Sequence, residues 1–486
     1  MNNQLRQHRT SLQNCAKRIS ILAVLAVAMA MASPAQTFTV IKSFSLTTGG
    51  APVAPPVEGF DGNLYGTTSA YGANSQGMVY KLNVAGKLTT LYSSCTTGGS
   101  LCPDGAGPSA GLAVVGGTLY GTTTYAGAYG WGEVFKITPK GKYTALYGFC
   151  ALGPLNCLDG QYPQSAMVYG NDGSLYGTTR YTVFKIGTSP GSGLTTLYNF
   201  CALPGCADGS VPMGTLVQGT DGNFYGTTES GGVNNQGTLF RISPTGILTT
   251  LYSFCASTGC PDGAAPIAGV VAATDGNFYG VASLGGIYAN CSAGCGTIFK
   301  FTPEGVLTTL HSFTFPSIEG NYPNGLMQAT DGNLYGTTSL GGAHDWGAIF
   351  QITTGGTFTL LHSFAQAGGA VPMSGVMQNT DGTFYGTTEV GGKNNVGVIF
   401  RLSMGLGSFV KVWPAGTTVG QTVAIVGNNL TGTSSVTFNG VPSGFVDVYT
   451  ATLIYATVPS GATTGPVKVT TPSGVLTSNV AFQVLP

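Results

Sequence analysis

From residue 37 to about 403 the apolar positions come in short runs, and nearly every gap between them holds Gly, Asn, Asp or Pro. One stretch shows the grammar: Gly214-Thr215-Leu216-Val217, then Asp221-Gly222, Phe224 to Thr228, a Gly/Asn-rich loop, Thr238 to Ile242, Ser243-Pro244-Thr245-Gly246, and Leu248 to Phe254. β-branched and aromatic residues fill the runs and turn formers fill the junctions, which predicts four antiparallel strands joined by tight turns.

The same grammar recurs. Tyr-Gly falls at Tyr65, Tyr120, Tyr176, Tyr225, Tyr279, Tyr335 and Tyr385, marking seven units of about fifty residues, a period that belongs to propellers and solenoids. The fourth-strand pattern (LTTLYSS at 88, LTTLYSF at 248, FTLLHSF at 358) has an isolated copy at Phe38 to Phe44, ahead of the first unit, whereas the seventh unit stops near Arg401 without one. The N-terminal strand is therefore expected to complete the seventh blade and leave no open edge, which predicts a seven-bladed β-propeller of four-stranded blades over residues 36–404. From residue 405 to 486 the runs become short alternating strands with turns every eight to twelve residues, as expected of a small immunoglobulin-like β-sandwich.

Composition places this all-β chain in a compartment. Asp, Glu, Lys and Arg make up only 7% of the residues and balance to zero, which excludes nucleic acid and acidic membranes as partners. Residues 1–35 carry Arg6, Arg9, Lys17 and Arg18, a short apolar run, and Ser33-Pro34-Ala35, the layout of a secretory signal peptide. The apolar run is too short for a membrane span, so no membrane insertion is expected after cleavage. The ten cysteines beyond it form five close pairs: Cys95 with Cys102, Cys150 with Cys157, Cys201 with Cys206, Cys255 with Cys260, and Cys291 with Cys295. Even count, local spacing and secreted context predict five disulfides instead of zinc sites. A secreted or cell-surface monomer is expected.

The repeated Asp-Gly reads as a hairpin turn, because Gly116-Gly117 replaces it in the second unit and a catalytic carboxylate would not tolerate that. The Gly of Tyr-Gly is expected where strands approach too closely for a side chain, and the Tyr as packing between blades. A base recurs in the third strand (Lys81, Lys136, Lys185, Arg241, Lys300, Arg401, with Gln351 in the sixth unit) and is expected to pair with an acid or lie solvated. A second turn of DGxxP type contributes Asp104, Asp159, Asp208, Asp262 and Glu319; placed at the channel mouth, these would be candidate ligands for Ca²⁺, against the simpler reading of a Pro-terminated turn. Of the unrepeated acids, Glu133, Glu229, Asp345 and Glu389 could reach the long-loop face, and only they could serve an enzyme acting on polysaccharide. Loop length and variety concentrate on the face formed by the Gly/Asn and cysteine loops. Its candidate ligand-binding residues are Asn74, Tyr129, Trp131, Asn234, Asn235, His344, Asp345, Trp346, Asn394 and Asn395, amides and aromatics suited to sugars, against the equal alternative that Asn and Gly here simply make turns.

The unit DGNLYGTT, SxGGxxxxG, [TV][IV]F[KR], TPxG, LTTLYSF resembles the GloVer tandem repeat of bacterial secreted and surface choice-of-anchor proteins, over roughly residues 37 to 403. The segment with VGNNLTG, VTFNG and VTTPSG looks like an IPT/TIG immunoglobulin-like domain. The resemblance implies secretion and a propeller, and it brings no catalytic residues. The expected function is thus a non-catalytic binding or adhesion protein for polysaccharide or a cell-envelope protein. A polysaccharide-acting hydrolase or lyase and a structural matrix protein are the alternatives.

Overall fold

The computed structural model describes residues 36–96, 102–153, 157–287, 291, 293–315 and 318–486. The expected signal peptide, residues 1–35, lies outside them. Seven four-stranded antiparallel sheets follow one another along the chain, the first six each built in strand order from inside to outside. In the fourth blade the strands are Val217–Gln218, Phe224–Thr228, Thr238–Ile242 and Leu248–Ser253.

The ring closes as the pattern predicts. Thr37–Ser43 pairs antiparallel with Val398–Ser403 as the outer strand of the seventh blade. The register shift between the third and outer strands of the other six blades is repeated there, between Val40 and Lys42. Such a bulge twists an outer strand and spoils it as a template for another chain. Between neighbouring blades lie seven apolar seams, one of which joins the last blade to the first through Ile399, Val396, Phe44, Leu64 and Tyr80.

The Tyr-Gly pair builds these seams. Tyr176 stacks on Phe224 of the next blade with ring centres 4.0 Å apart, as Tyr225 does on Phe278 at 4.2 Å. At most of these glycines the space is taken by a ring, and at Gly336 a Cβ would also meet the backbone oxygen of Gly325, at 2.5 Å. A Cβ at Gly226 would stand 2.7 Å from Cζ of Phe240, and at Gly280 2.5 Å from Cζ of Phe299, because the third-strand aromatic lies flat across its partner strand. The following threonine links blades: Thr67 donates to Ala110 O at 2.8 Å and Thr387 to Ala54 O at 3.0 Å, the latter across the closure.

Residues 411–485 form two four-stranded sheets and a short parallel pair around Val423, Ile425, Phe438, Ile454, Val467, Val469 and Phe482. This sandwich is seated on the propeller face that carries the Asp-Gly hairpins. Lys411 Nζ donates to Glu58 at 2.9 Å and to Gln378 O at 2.8 Å, and the Thr380 amide also donates to Glu58 at 3.1 Å. Asn428 donates to the Thr380 hydroxyl at 2.7 Å, Thr452 to Phe60 O at 3.0 Å, and Asn171 to Gln483 at 3.1 Å. The first, third and seventh blades therefore all hold the small domain.

Candidate functional site

Each hairpin aspartate is the centre of a module. Asp61 Oδ1 accepts from the Asn63 amide at 3.2 Å, while Oδ2 accepts from the Tyr65 hydroxyl at 2.8 Å and Lys81 Nζ at 2.7 Å. Burial works to raise its carboxyl, yet the bonds from Lys81, Tyr65 and Asn63 outweigh burial and hold it below the usual range. Asp172 repeats the set with Ser174, Tyr176 and Lys185, and Asp275 with Asn277, Tyr279 and Lys300. One contact set thus accounts for the acid, tyrosine and base of the first, third and fifth blades. In the second blade, where Gly116-Gly117 stands in place of the acid, Tyr120 and Lys136 both turn to Thr188 O at 3.3 Å in the neighbouring blade.

The DGxxP acids have a different place from the one expected. They lie against the outermost strands, away from a channel mouth. Asp159 accepts from the Tyr147 hydroxyl at 2.8 Å and the amides of Ala151 and Leu152 at 2.9 and 3.3 Å; Asp208 does the same with Tyr198, Ala202 and Leu203. Asp104 receives Tyr92 and Thr96, Asp262 receives Tyr252 and Ala256, and Glu319 lies 3.3 Å from His311. The four aspartates clamp the loops closed by the first four disulfides, whereas the Glu319 turn contains no cysteine and the fifth disulfide closes a Gly-rich loop between the second and third strands of the fifth blade. Among the described residues no three His, Cys, Asp or Glu side chains stand close enough to share an ion. All five expected disulfides are present, Cys95–Cys102, Cys150–Cys157, Cys201–Cys206, Cys255–Cys260 and Cys291–Cys295.

The cysteine loops and the Gly/Asn loops share one face, tied by bonds such as Gly127 N–H to Cys102 O at 3.0 Å and Gly232 N–H to Cys206 O at 2.9 Å. Most of the amides expected to meet a ligand are committed to these loops. Asn74, Asn234 and Asn394 donate to Ser94 O, Phe254 O and Phe44 O at 2.9, 3.1 and 2.6 Å, closing each loop onto its outer strand. Asn235, Asp345 and Asn395 adopt positive φ and accept from the amides of Gly231, Gly341 and Gly391. Trp346 is half-buried against the seam of the sixth and seventh blades, and Trp131 against that of the second and third. His344 and Tyr129 are exposed.

The acids separate in the same way. Glu133 is 1% exposed and takes a short hydrogen bond from the Tyr143 hydroxyl. Burial pushes its carboxyl up to about 7 against that bond, with Asp104 adding to the rise. It therefore sits inside the wall of the second blade, while Glu229 and Glu389 are half-exposed on the long-loop face.

Residues outside the expected set complete this face. Tyr125 is 55% exposed and Tyr181 40%; Tyr162 stands edge-on to Trp131 at 5.0 Å and to Tyr125 at 5.8 Å. The signal for them was the third unit, whose strands Leu175–Thr178 and Thr182–Ile186 are joined by only Thr179, Arg180 and Tyr181. A missing loop makes a notch there, and the aromatic surface of the second blade borders it.

The sequence profile of the Gloeobacter/Verrucomicrobia repeat matches residues 26–205, 182–294 and 287–434, and that of the IPT/TIG domain matches residues 408–484. No curated protein matches the chain. Among solved structures, the extracellular domain of a hybrid two-component system from B. thetaiotaomicron is similar at 13% identity and a TM-score of 0.51, over 92% of this chain and 54% of that one. The chain thus spans about half the length of that domain. A copper-bound fungal alcohol oxidase of the AA5 family is similar at 13% identity and a TM-score of 0.50, over 93% and 99% of the two chains. At such identities the likeness is one of fold. The repeat profile covers the whole ring, and the chain belongs to the Gloeobacter/Verrucomicrobia repeat family, with an IPT/TIG domain following its seven blades.

Proposed function

We propose that this is an extracytoplasmic, non-catalytic binding protein whose long-loop face takes polysaccharide, with the IPT/TIG domain as spacer or docking module behind it. The observation that carries the reading is the seat of the sandwich: it occupies the hairpin face through Lys411, Asn428, Thr452 and Gln483 and leaves the opposite face free. That free face bears exposed Tyr71, Tyr125, Tyr129 and Tyr181 on loops beside those closed by disulfides. Tyrosine offers a flat apolar ring with a polar tip, and rigid loops lose little entropy on binding. Five cystines in one chain favour an oxidising compartment, hence secretion or the cell surface.

Affinity electrophoresis in gels containing cell-wall and capsular polysaccharides tests this. Retardation in at least one gel is expected, and Tyr125→Ala with Tyr129→Ala should weaken it by about tenfold, in line with ~0.5 to 1.5 kcal/mol for each ring contact. Free migration in every gel, with capture of an envelope protein instead, would replace polysaccharide by a protein partner.

A further inference from the structure

We infer that the notch at the third blade is a binding site for a small zwitterion, an α-amino acid with an apolar side chain. The notch holds a cavity of about 180 Å³ lined in part by Tyr162, Arg180, Pro212, Met213 and Glu229. Pockets for drug-sized ligands run from about 300 to 1,000 Å³, so this one suits a smaller molecule.

Its walls carry one cation and one anion that do not meet. Among the described residues neither Arg180 nor Glu229 belongs to an ion pair, and neither side chain makes a hydrogen bond within the protein. Arg180 is set in place by Tyr181, whose ring centre lies 5.7 Å from the guanidinium carbon. Glu229 is held from the other side, its amide donating to Val211 O at 2.9 Å just before Pro212 and Met213.

Two opposite charges facing one small cavity without touching are matched by a ligand that carries both. A carboxylate accepts two parallel bonds from the guanidinium fork, and an ammonium donates to the Glu229 carboxylate. The ligand's apolar group then lies on Pro212, Met213 and the Tyr162 ring. A simple anion would leave Glu229 facing it, and a simple cation would leave Arg180.

The inference goes beyond polysaccharide recognition and is tested with different probes. Isothermal titration of the full chain would use L-leucine and L-methionine, and 4-methylpentanoate and 3-methylbutylamine as analogues lacking one charge. The amino acids are expected to bind, and each analogue to bind about tenfold or more weakly, since a charged hydrogen bond carries about 1.5 to 3 kcal/mol. Arg180→Gln and Glu229→Gln should each weaken leucine binding by a similar factor. Both side chains reach solvent, so thermal unfolding of the variants should match the parent and separate lost binding from lost fold. Absence of binding by either amino acid, analogues that bind equally well, or unchanged affinity in both variants would overturn the assignment.

Discussion

Glu133 occupies a position where the third, fourth and fifth blades have Thr182, Thr238 and Thr297, and its partner Tyr143 stands where those blades have leucine. A carboxyl that keeps its proton to about pH 7 when folded, but loses it near its ordinary value of 4.5 when unfolded, stabilises the folded chain most below pH 4.5. That stability is lost as pH rises through 7. Glu133→Gln should therefore leave the melting temperature at pH 4 nearly unchanged and raise stability at pH 8 by up to about 3 kcal/mol, as a melting series across pH would show. Gly226 makes the opposite case, in which one added methyl group is costly. Gly226→Ala pushes a Cβ into the Phe240 ring, and a loss of about 1 to 3 kcal/mol is expected in urea unfolding, relieved by Phe240→Leu in the same chain.

Loops and strands show what a sequence can and cannot disclose. The blades, the closing strand and the cystine pairs were legible because each rests on local spacing: Cys255 and Cys260 are five residues apart and their bond needs no distant partner. Replacing that pair by serine should cost about 2 kcal/mol, the loop entropy of so short a ring, and raise protease nicking in that loop. In the Gly/Asn loops the sequence leaves two roles open for a physical reason. An amide that closes a turn and an amide that binds a sugar are the same residue, and only the carbonyl of Phe254 beside Asn234 distinguishes them. Likewise the DGxxP acids gave no sign that their partners stand on the preceding outer strand, a tyrosine for each aspartate and His311 for Glu319. His362, in the outer strand Phe358–Ser363, stacks on Phe38 of the closing strand at 3.7 Å, and burial lowers it to about 4. Unfolded, it would titrate near 6.5, so its contribution is intact above that pH and lost as pH falls from 6.5 towards 4. His362→Phe should reduce acid sensitivity, read as protection of residues 37–43 from proteolysis at pH 5.

At the scale of the whole molecule, one ion pair does much of the joining. Glu58 is 7% exposed and meets Lys411 from 353 residues away, a pairing that no spacing rule could reveal. Lys411→Met leaves that carboxylate buried without its cation and should cost about 3 kcal/mol, whereas adding Glu58→Gln should recover most of it; a double-mutant cycle in urea measures the coupling. Ring closure has a consequence in time as well as in space. Thr37–Ser43 leaves the ribosome before the rest of the ring, yet its strand partner, Val398–Ser403, is the last strand of the ring to be made. The first strand must wait unpaired until six blades have formed.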